Sequence, residues 1–533
     1  MNRLISVIIA LAAHLDAAQA QTAGASPQRA TFVVTQAGDT LAIEKVTRTS
    51  GRAESELVVR GQGVHLHLAL SLAPDALVTA MEVAARPAAA KADAPPAQAG
   101  TLLFRGDSVI AEMTAPTRST QRFAAGRGAL PFVNMSMTVA EQLVRRARAV
   151  GGSRVEVPMF VVGGAQVIPA TVTWVGADTA VVTLGGVDLR AAVAADGRLL
   201  GAVVPSQNVR FTRIEGAASI APDMRPPDYS APAGAPYTAE NVTVVTPSGL
   251  KLAGTLTMPL RRGADGRVPA VVLITGSGSQ NRDEEIPGLK GYRFFRQIAD
   301  TLSRRGVAVL RLDDRGVGGS EAGTAGATTA DFADDVRGAV AYLRTRPDIR
   351  GDRVGLVGHS EGGMIAPMVA RDDPQLGAIA LLAGPSRSIR RILEFQRRVA
   401  VESDTTIPTA NRDSAIAVMA RAADSIAATP GWLAFAYDYD PLATARQVRT
   451  PVLILQGATD LQITADQALE LSTAFQQGGN RDVTIHVFTN TNHLFLEDPV
   501  GVYNGYATLP SKVVKPQVLG TLADWVVVKL GGR

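Results

Sequence analysis

The feature of this sequence that most constrains its fold is the alternation of short apolar runs with amphipathic segments in its second half. Beyond residue 237 the runs are AVVLI, VAVLRL, RVGLVG, GAIALLA, PVLILQG and VTIHVF, and they follow a hairpin pattern around Ser248-Gly249. Between them, Phe295, Ile298 and Leu302 recur at helical spacing. Buried strands that alternate with helices are typical of a mostly parallel sheet covered on both faces. We therefore predict an α/β domain with eight strands over residues 237–533.

The first half of the chain has a different pattern. From Ala30 to about Glu215, short apolar segments alternate with turn residues, which predicts a separate mainly-β domain over residues 26–221. Within it, TVAEQLVRRARAV predicts one helix that opens with a Thr138/Glu141 capping box. Residues 222–236 are rich in proline and predict a linker between the two domains.

The first twenty residues predict export. Arg3 precedes an apolar run from Leu4 to Ala13, and Ala18-Gln19-Ala20 has the small-x-small pattern of a cleavage site. This run is too short to span a bilayer, and no later run reaches about 18 apolar residues. We expect a signal peptide over 1–20, a secreted or periplasmic protein, and no transmembrane segment after the signal is removed.

Composition argues against several function classes. The formal net charge is only +4, and the sequence has no dense run of Lys and Arg with aromatic residues interleaved. Nucleic acid is therefore not an expected partner. The chain has no cysteine, which excludes disulfides, thiolate zinc sites and a cysteine nucleophile. His65 and His67 share a strand face, but no third ligand is near them in sequence, so we assign no metal site.

Ser360 lies in GHSEG, between a predicted strand and a predicted helix, which matches the G-x-S-x-G nucleophile elbow. Gly358 and Gly362 fit this turn because neither has a side chain to clash. A serine hydroxyl needs an imidazole as base and a carboxylate to orient that imidazole. Asp460 and His493 follow two consecutive predicted strands, in the order that such hydrolases use. We predict that Ser360, Asp460 and His493 form a catalytic triad.

An acyl-transfer intermediate also needs hydrogen-bond donors for its oxyanion. We predict the backbone N–H of Glu361 and, in the loop ITGSGSQNRDEE, that of Ser277, with Gly278 as the alternative. This loop lacks the Gly-Lys-Ser/Thr of a phosphate cradle, so no nucleotide cofactor is expected. We interpret His359 as a packing residue of the elbow and His486 as structural.

Five segments together resemble a known family: TGSGSQNRDE, LRLDDRGVGGS, GHSEGG, LQGATD and TNH. They resemble the α/β-hydrolases, and within them the serine aminopeptidase and monoglyceride-lipase-like branch that includes bacterial carboxylesterases. The resemblance runs from about Tyr237 to Leu530. It implies the α/β-hydrolase fold with a helical cap inserted at about residues 384–446.

The residues and the resemblance together predict a serine hydrolase that cleaves small carboxylic esters through an acyl-enzyme, with no cofactor or metal. Two alternatives stay open. A serine aminopeptidase would use the same triad with an acidic pocket for a free amine, for which Glu394, Glu402 and Asp404 are the candidates. In the other, the β region is an envelope-binding module that carries a hydrolase domain. The sequence predicts no particular protein partner.

Overall fold

Two β-sheets of very different topology organise the chain. The computed structural model describes residues 27–531 except 37–38, 60–63, 88–93, 116, 164–165, 217–226, 287, 290, 324–325, 405–406 and 429–430. Within these residues one sheet has fifteen strands and the other has eight. The predicted signal peptide, residues 1–20, lies outside the described residues.

The amino-terminal region is a long meander, as its hairpin pattern predicted. Its strands are Gln28–Gln36 (β1), Asp39–Arg48 (β2), Arg52–Val59 (β3), Val64–Leu72 (β4), Val78–Pro87 (β5), Gln98–Arg105 (β6), Ser108–Ala115 (β7), Ser119–Ala124 (β8), Leu130–Phe132 (β9), Arg154–Val161 (β10), Val167–Val175 (β11), Thr179–Leu184 (β12), Val187–Val193 (β13), Leu199–Val204 (β14) and Val209–Glu215 (β15). Neighbouring strands pair antiparallel except β9 with β10, and β1 pairs with β15 in the middle of the sheet. The turn between β14 and β15 therefore lies beside the end of β1.

One helix, Met137–Val150 (α1), packs its apolar side chains into the core of this sheet. Its N-cap is Ser136, so the predicted Thr138/Glu141 capping box is wrong. The reason is a carboxylate from β2, Glu44, which accepts hydrogen bonds from Ser136 Oγ at 2.8 Å and from the Thr138 amide at 3.2 Å. A distant residue thus supplies the acceptor that helix N-terminal amides require.

The hydrogen bonds that Glu44 accepts at the start of α1 should stabilise the fold. Glu44→Gln replaces an acceptor oxygen with an amide donor that faces other donors, so we expect the free energy of unfolding to fall by about 1–3 kcal/mol. Urea unfolding followed by circular dichroism measures it. The matched control Glu82→Gln changes a side chain that is 53% exposed and should stay within about 0.5 kcal/mol of the parent. Equal effects of the two substitutions would contradict this account of the helix terminus.

The carboxyl-terminal region forms the predicted eight-stranded sheet. Its strands are Tyr237–Val245 (β16), Lys251–Pro259 (β17), Val268–Ile274 (β18), Ala308–Leu312 (β19), Ile349–His359 (β20), Ala378–Leu382 (β21), Val452–Gly457 (β22) and Val483–Phe488 (β23). The spatial order is β16-β17-β19-β18-β20-β21-β22-β23. The last six strands in this order are parallel to one another, whereas β17 is antiparallel to both of its neighbours. The carboxyl ends of β18, β20, β22 and β23 consequently lie along one edge.

Helices cover both faces of this sheet, and a group of them separates its sixth and seventh strands. The helices are Phe294–Arg304 (α2), Thr329–Thr345 (α3), Glu361–Asp372 (α4), Ile389–Ser403 (α5), Arg412–Ala427 (α6), Trp432–Ala436 (α7), Pro441–Ala445 (α8), Ala465–Gln477 (α9) and Pro516–Leu530 (α10). Helices α5 to α8 fall in the segment that the sequence predicts as a cap, residues 384–446. Among the described residues, no helix has the length and apolar character needed to cross a membrane.

The described part of the proline-rich linker is held against the second region. Arg293 and Arg296 both donate to the backbone oxygen of Asp228, and the guanidinium of Arg282 lies 4.3 Å from the centre of the Tyr229 ring. Cation–π contact and charge-assisted hydrogen bonds of this kind fix a segment in place. The described part of the linker is therefore bound to the surface of the α/β region.

Candidate active site

Ser360 occupies a sharp turn between β20 and α4. Its backbone has φ 52° and ψ −115°, a strained conformation for a residue with a side chain. A Cβ on Gly358 would lie 2.0 Å from the oxygen of Gly362, and a Cβ on Gly362 would lie 2.1 Å from the oxygen of Ile274. Only glycine fits at either position, which is the geometry that G-x-S-x-G predicts. The turn places Ser360 at the edge where the parallel strands end.

His493 and Asp460 come together at the same edge. His493 Nδ1 lies 2.8 Å from Asp460 Oδ2, and both side chains are buried. The other oxygen of Asp460 accepts from the amides of Gln462 and Ile463, at 2.8 and 2.9 Å. Gln456 Nε2 donates to Oδ2 at 3.0 Å. The carboxylate is therefore fixed in orientation and in turn orients the imidazole.

A cavity of about 660 Å³ joins these residues. Ser360, His493 and Ser277 line it together, so the structure brings three of the five predicted site residues to one space. Asp460 lies behind His493.

Glu361 is the first residue of α4. Its carboxylate accepts hydrogen bonds from Thr329 and from Trp432 of the cap, and burial raises the pKa of this carboxylate.

The loop after β18 presents backbone amides near Ser360. The amide of Gly276 already donates to Glu284 Oε1 at 2.9 Å. Ser277 is exposed, and among the described residues no acceptor is assigned to its amide. Within this loop, Ser277 is thus better placed than Gly276 to serve as a donor. Gly278, the alternative, has φ +96°, so the chain turns directly after Ser277.

His359 has a larger role than the packing role that the sequence suggested. Its Nδ1 lies 2.8 Å from Glu284 Oε1, and its Nε2 donates to the backbone oxygen of His493 at 3.0 Å. Burial lowers the pKa of His359, but the Glu284 carboxylate and these hydrogen bonds raise the pKa by more than burial lowers it. The pKa of His359 therefore lies above the ordinary value. One buried histidine–carboxylate contact thus connects the Ser277 loop with the His493 loop.

The segment that carries the predicted triad matches the model of a known family. The family model described as serine aminopeptidase, S33, matches residues 289–500, a segment that contains Ser360, Asp460 and His493. This segment resembles the serine aminopeptidase S33 family of α/β-hydrolases. The comparison with curated proteins found no match.

Solved structures similar to this chain include an esterase, an esterase domain and a protein named Est1E. The Pyrococcus furiosus esterase Pf2001 is 16% identical, with a TM-score of 0.41 over 58% of this chain and 97% of its own. An esterase domain from a Rhodothermus marinus protein is 18% identical, with a TM-score of 0.33 over 55% of this chain and 99% of its own. Est1E from Butyrivibrio proteoclasticus is 15% identical, with a TM-score of 0.35 and the same coverage. At these values the activity must be argued from the site itself.

Among the described residues of this hydrolase, no group of three or more His, Asp or Glu side chains is placed to hold a metal ion. His65 and His67, which share a strand face, each lie within hydrogen-bond distance of Glu56, at 2.6 and 2.8 Å. Glu56 therefore gives each of the two imidazoles a hydrogen-bond partner.

A second group that the sequence did not reveal is Asp314, which follows β19. It accepts from Thr275 Oγ1 and from the Gln280 amide, both at 2.8 Å, and so holds the Ser277 loop at two points. Burial raises the pKa of Asp314 to about 8, and these two hydrogen bonds only partly offset that effect. We therefore expect Asp314 to be protonated at neutral pH.

This pKa has a consequence for stability. Between about pH 4, the unfolded value, and pH 8, the folded chain holds a proton that the unfolded chain releases, so the contribution of Asp314 to stability falls as pH rises through this window. Asparagine can accept from Gln280 and donate to Thr275, so Asp314→Asn should remove this part of the pH dependence. We expect the thermal unfolding temperature of Asp314→Asn, relative to the parent, to be higher at pH 8 than at pH 5.

The control is Asp352→Asn, which alters a carboxylate that is 71% exposed and should leave the pH profile unchanged. An identical pH profile for the parent and Asp314→Asn would show that Asp314 is ionised in the folded protein.

Proposed function

We propose that this protein is a serine hydrolase that cleaves carboxylic esters through an acyl-enzyme intermediate. The observation that carries the proposal is the strained Ser360 turn, which opens on the same cavity as a histidine held by a buried aspartate. A glycine-framed serine at the end of a parallel strand, with its base on a neighbouring loop, suits nucleophilic acyl transfer.

The proposed steps assign one role to each group. The hydrogen bond to Asp460 favours the His493 tautomer with its proton on Nδ1, which leaves Nε2 as the base. Ser360 Oγ attacks the ester carbonyl while Nε2 takes the hydroxyl proton. The same proton then passes to the leaving alcohol, and water repeats the sequence to release the acid.

The amides of Glu361 and Ser277 are the proposed oxyanion donors. Glu361 begins α4, where amides have no acceptor within the helix and the helix dipole favours negative charge. Glu284 and Asp314 support the loop that carries Ser277 by accepting hydrogen bonds from the amides of Gly276 and Gln280. Donors fixed in this way need little reorganisation when charge develops on the carbonyl oxygen.

One observation favours a second candidate, an aminopeptidase. Asp404 of the cap lies on the cavity and could face a free amine, whereas Glu394 and Glu402 are not among its described lining residues. A single carboxylate at the cap is a weaker amine site than the acidic pocket that peptide hydrolysis would call for. We therefore place ester cleavage first.

Export to the periplasm or beyond remains a proposal that rests on residues 1–20. The expected partner is a small ester rather than nucleic acid. The β region contributes to the wall of the cavity, which supports a part in substrate binding more than a separate envelope-binding role.

The proposal is tested by Ser360→Ala. Removing the nucleophile should lower turnover of p-nitrophenyl acetate by at least about a thousandfold and abolish labelling by a fluorophosphonate probe. The control Ser472→Ala changes a buried serine on α9 and should keep both activities. Persistent labelling of Ser360→Ala would contradict the assignment. Faster turnover of aminoacyl p-nitroanilides than of esters would favour the aminopeptidase instead.

A further inference from the structure

The wall of the catalytic cavity opposite the hydrolase loops comes from the amino-terminal sheet. Residues 205–208, the turn between β14 and β15, line the same 660 Å³ cavity as Ser360 and His493, and so does Gln36 at the end of β1. The hydrolase region alone therefore does not enclose the space into which a substrate extends. Nothing in the local sequence pattern of the β region indicates this contribution.

The turn is held in a defined conformation. Gln36 Nε2 donates to the backbone oxygen of Gln207 at 2.9 Å, and the Asn208 amide donates to the oxygen of Pro205 at 3.2 Å. Asn208 adopts the left-handed conformation, with φ 52° and ψ 35°, which asparagine tolerates better than most residues. A substrate therefore meets a preorganised surface, whose ordering costs little on binding.

Gln36 also fixes this turn to the hydrolase region. Gly288, two residues after Ile286 on the cavity wall, has φ +79°, and a Cβ there would lie 2.5 Å from Gln36 Oε1. The Gln36 side chain thus packs directly on the backbone of the hydrolase. This contact joins the turn to the hydrolase side of the cavity.

The β side of the cavity carries neutral amides and a hydroxyl, whereas the described carboxylates of the cavity, Glu284 and Asp404, lie on the hydrolase side. Ser206, Gln207 and Asn208 lie on the β side of the cavity, and Gln280 and Gln462 lie on the hydrolase side. None of the described residues that line the cavity is a lysine or arginine. A carboxamide offers both donors and acceptors without charge, which matches groups that also donate and accept, such as the hydroxyls of a polyol.

We propose that the 205–208 turn and Gln36 form a subsite for the hydroxyl-rich half of the substrate, so that the enzyme acts on acyl esters of carbohydrate-like polyols. This proposal rests on the proposed ester hydrolysis. Residues 205–208 are exposed and therefore hydrated in the free protein, so the hydroxyls of a polyol can replace that water, whereas an alkyl group would displace it without replacing its hydrogen bonds. The scissile ester lies at Ser360, and the polyol extends toward the β region.

A pair of acetate esters of similar shape tests the proposal in the full-length protein. In 6-O-acetylglucose and cyclohexylmethyl acetate, a six-membered ring carries the same acetoxymethyl group, and the second ring lacks every hydroxyl. We expect kcat/KM for the sugar ester to exceed that for the cyclohexyl ester by at least about tenfold. Acetate release measures both reactions.

The variants are Gln207→Leu and Asn208→Gly, the second of which keeps the left-handed backbone. Each should lower kcat/KM for the sugar ester by about tenfold, mainly through a higher KM, whereas kcat/KM for the cyclohexyl ester should not fall and should rise where the lost carboxamide had opposed the alkyl ring. Gln121→Leu on β8, at the far edge of the sheet, is the matched control and should change neither substrate. Circular dichroism establishes that each variant is folded.

Three outcomes would overturn the subsite: a preference of the parent for the cyclohexyl ester, turnover of p-nitrophenyl acetate without either test ester, or an unchanged substrate ratio in both variants. Loss of the proposed function itself has a different signature, because the parent would then hydrolyse no ester and Ser360 would not label with a fluorophosphonate.

Discussion

Gly358 and Gly362 approach so closely across the Ser360 turn that a methyl group on Gly358 would lie 2.0 Å from a backbone oxygen. This approach joins the end of β20 to the start of α4 and forces Ser360 into its strained conformation. Because the neighbouring strands are parallel, their ends bring the other loops to the same edge. This turn therefore fixes where Ser360 lies relative to the loops that carry the other site residues.

A buried carboxylate, Glu284, holds the loops next to the Ser360 turn. Glu284 holds the amide of Gly276 on one side and His359 on the other, and His359 reaches the backbone of His493. Burying a carboxylate and an imidazole costs desolvation energy, so this contact is weak support for stability, but removing one partner would leave the other buried without it. This pair therefore fixes the relative positions of two loops more than it stabilises the fold. Rigid loops are what a preorganised oxyanion site requires.

The sequence allowed the hydrolase sheet, the elbow and the pairing of Asp460 with His493 to be predicted because all depend on local patterns and on the rule that parallel strands end together. Contacts between distant residues could not be predicted in this way. Glu44 caps a helix from 92 positions away, and His359 and Glu284 are separated by 75. Likewise, no pattern in residues 205–208 shows that they face Ser360.

The central claim is that Ser360 is the residue that becomes acylated, and p-nitrophenyl dimethylcarbamate tests it most directly because a carbamoyl group leaves a serine slowly. We expect release of one p-nitrophenolate per chain and, by peptide mass spectrometry, one dimethylcarbamoyl group on Ser360. Release of p-nitrophenolate with the label on another residue, or with no covalent label, would contradict it.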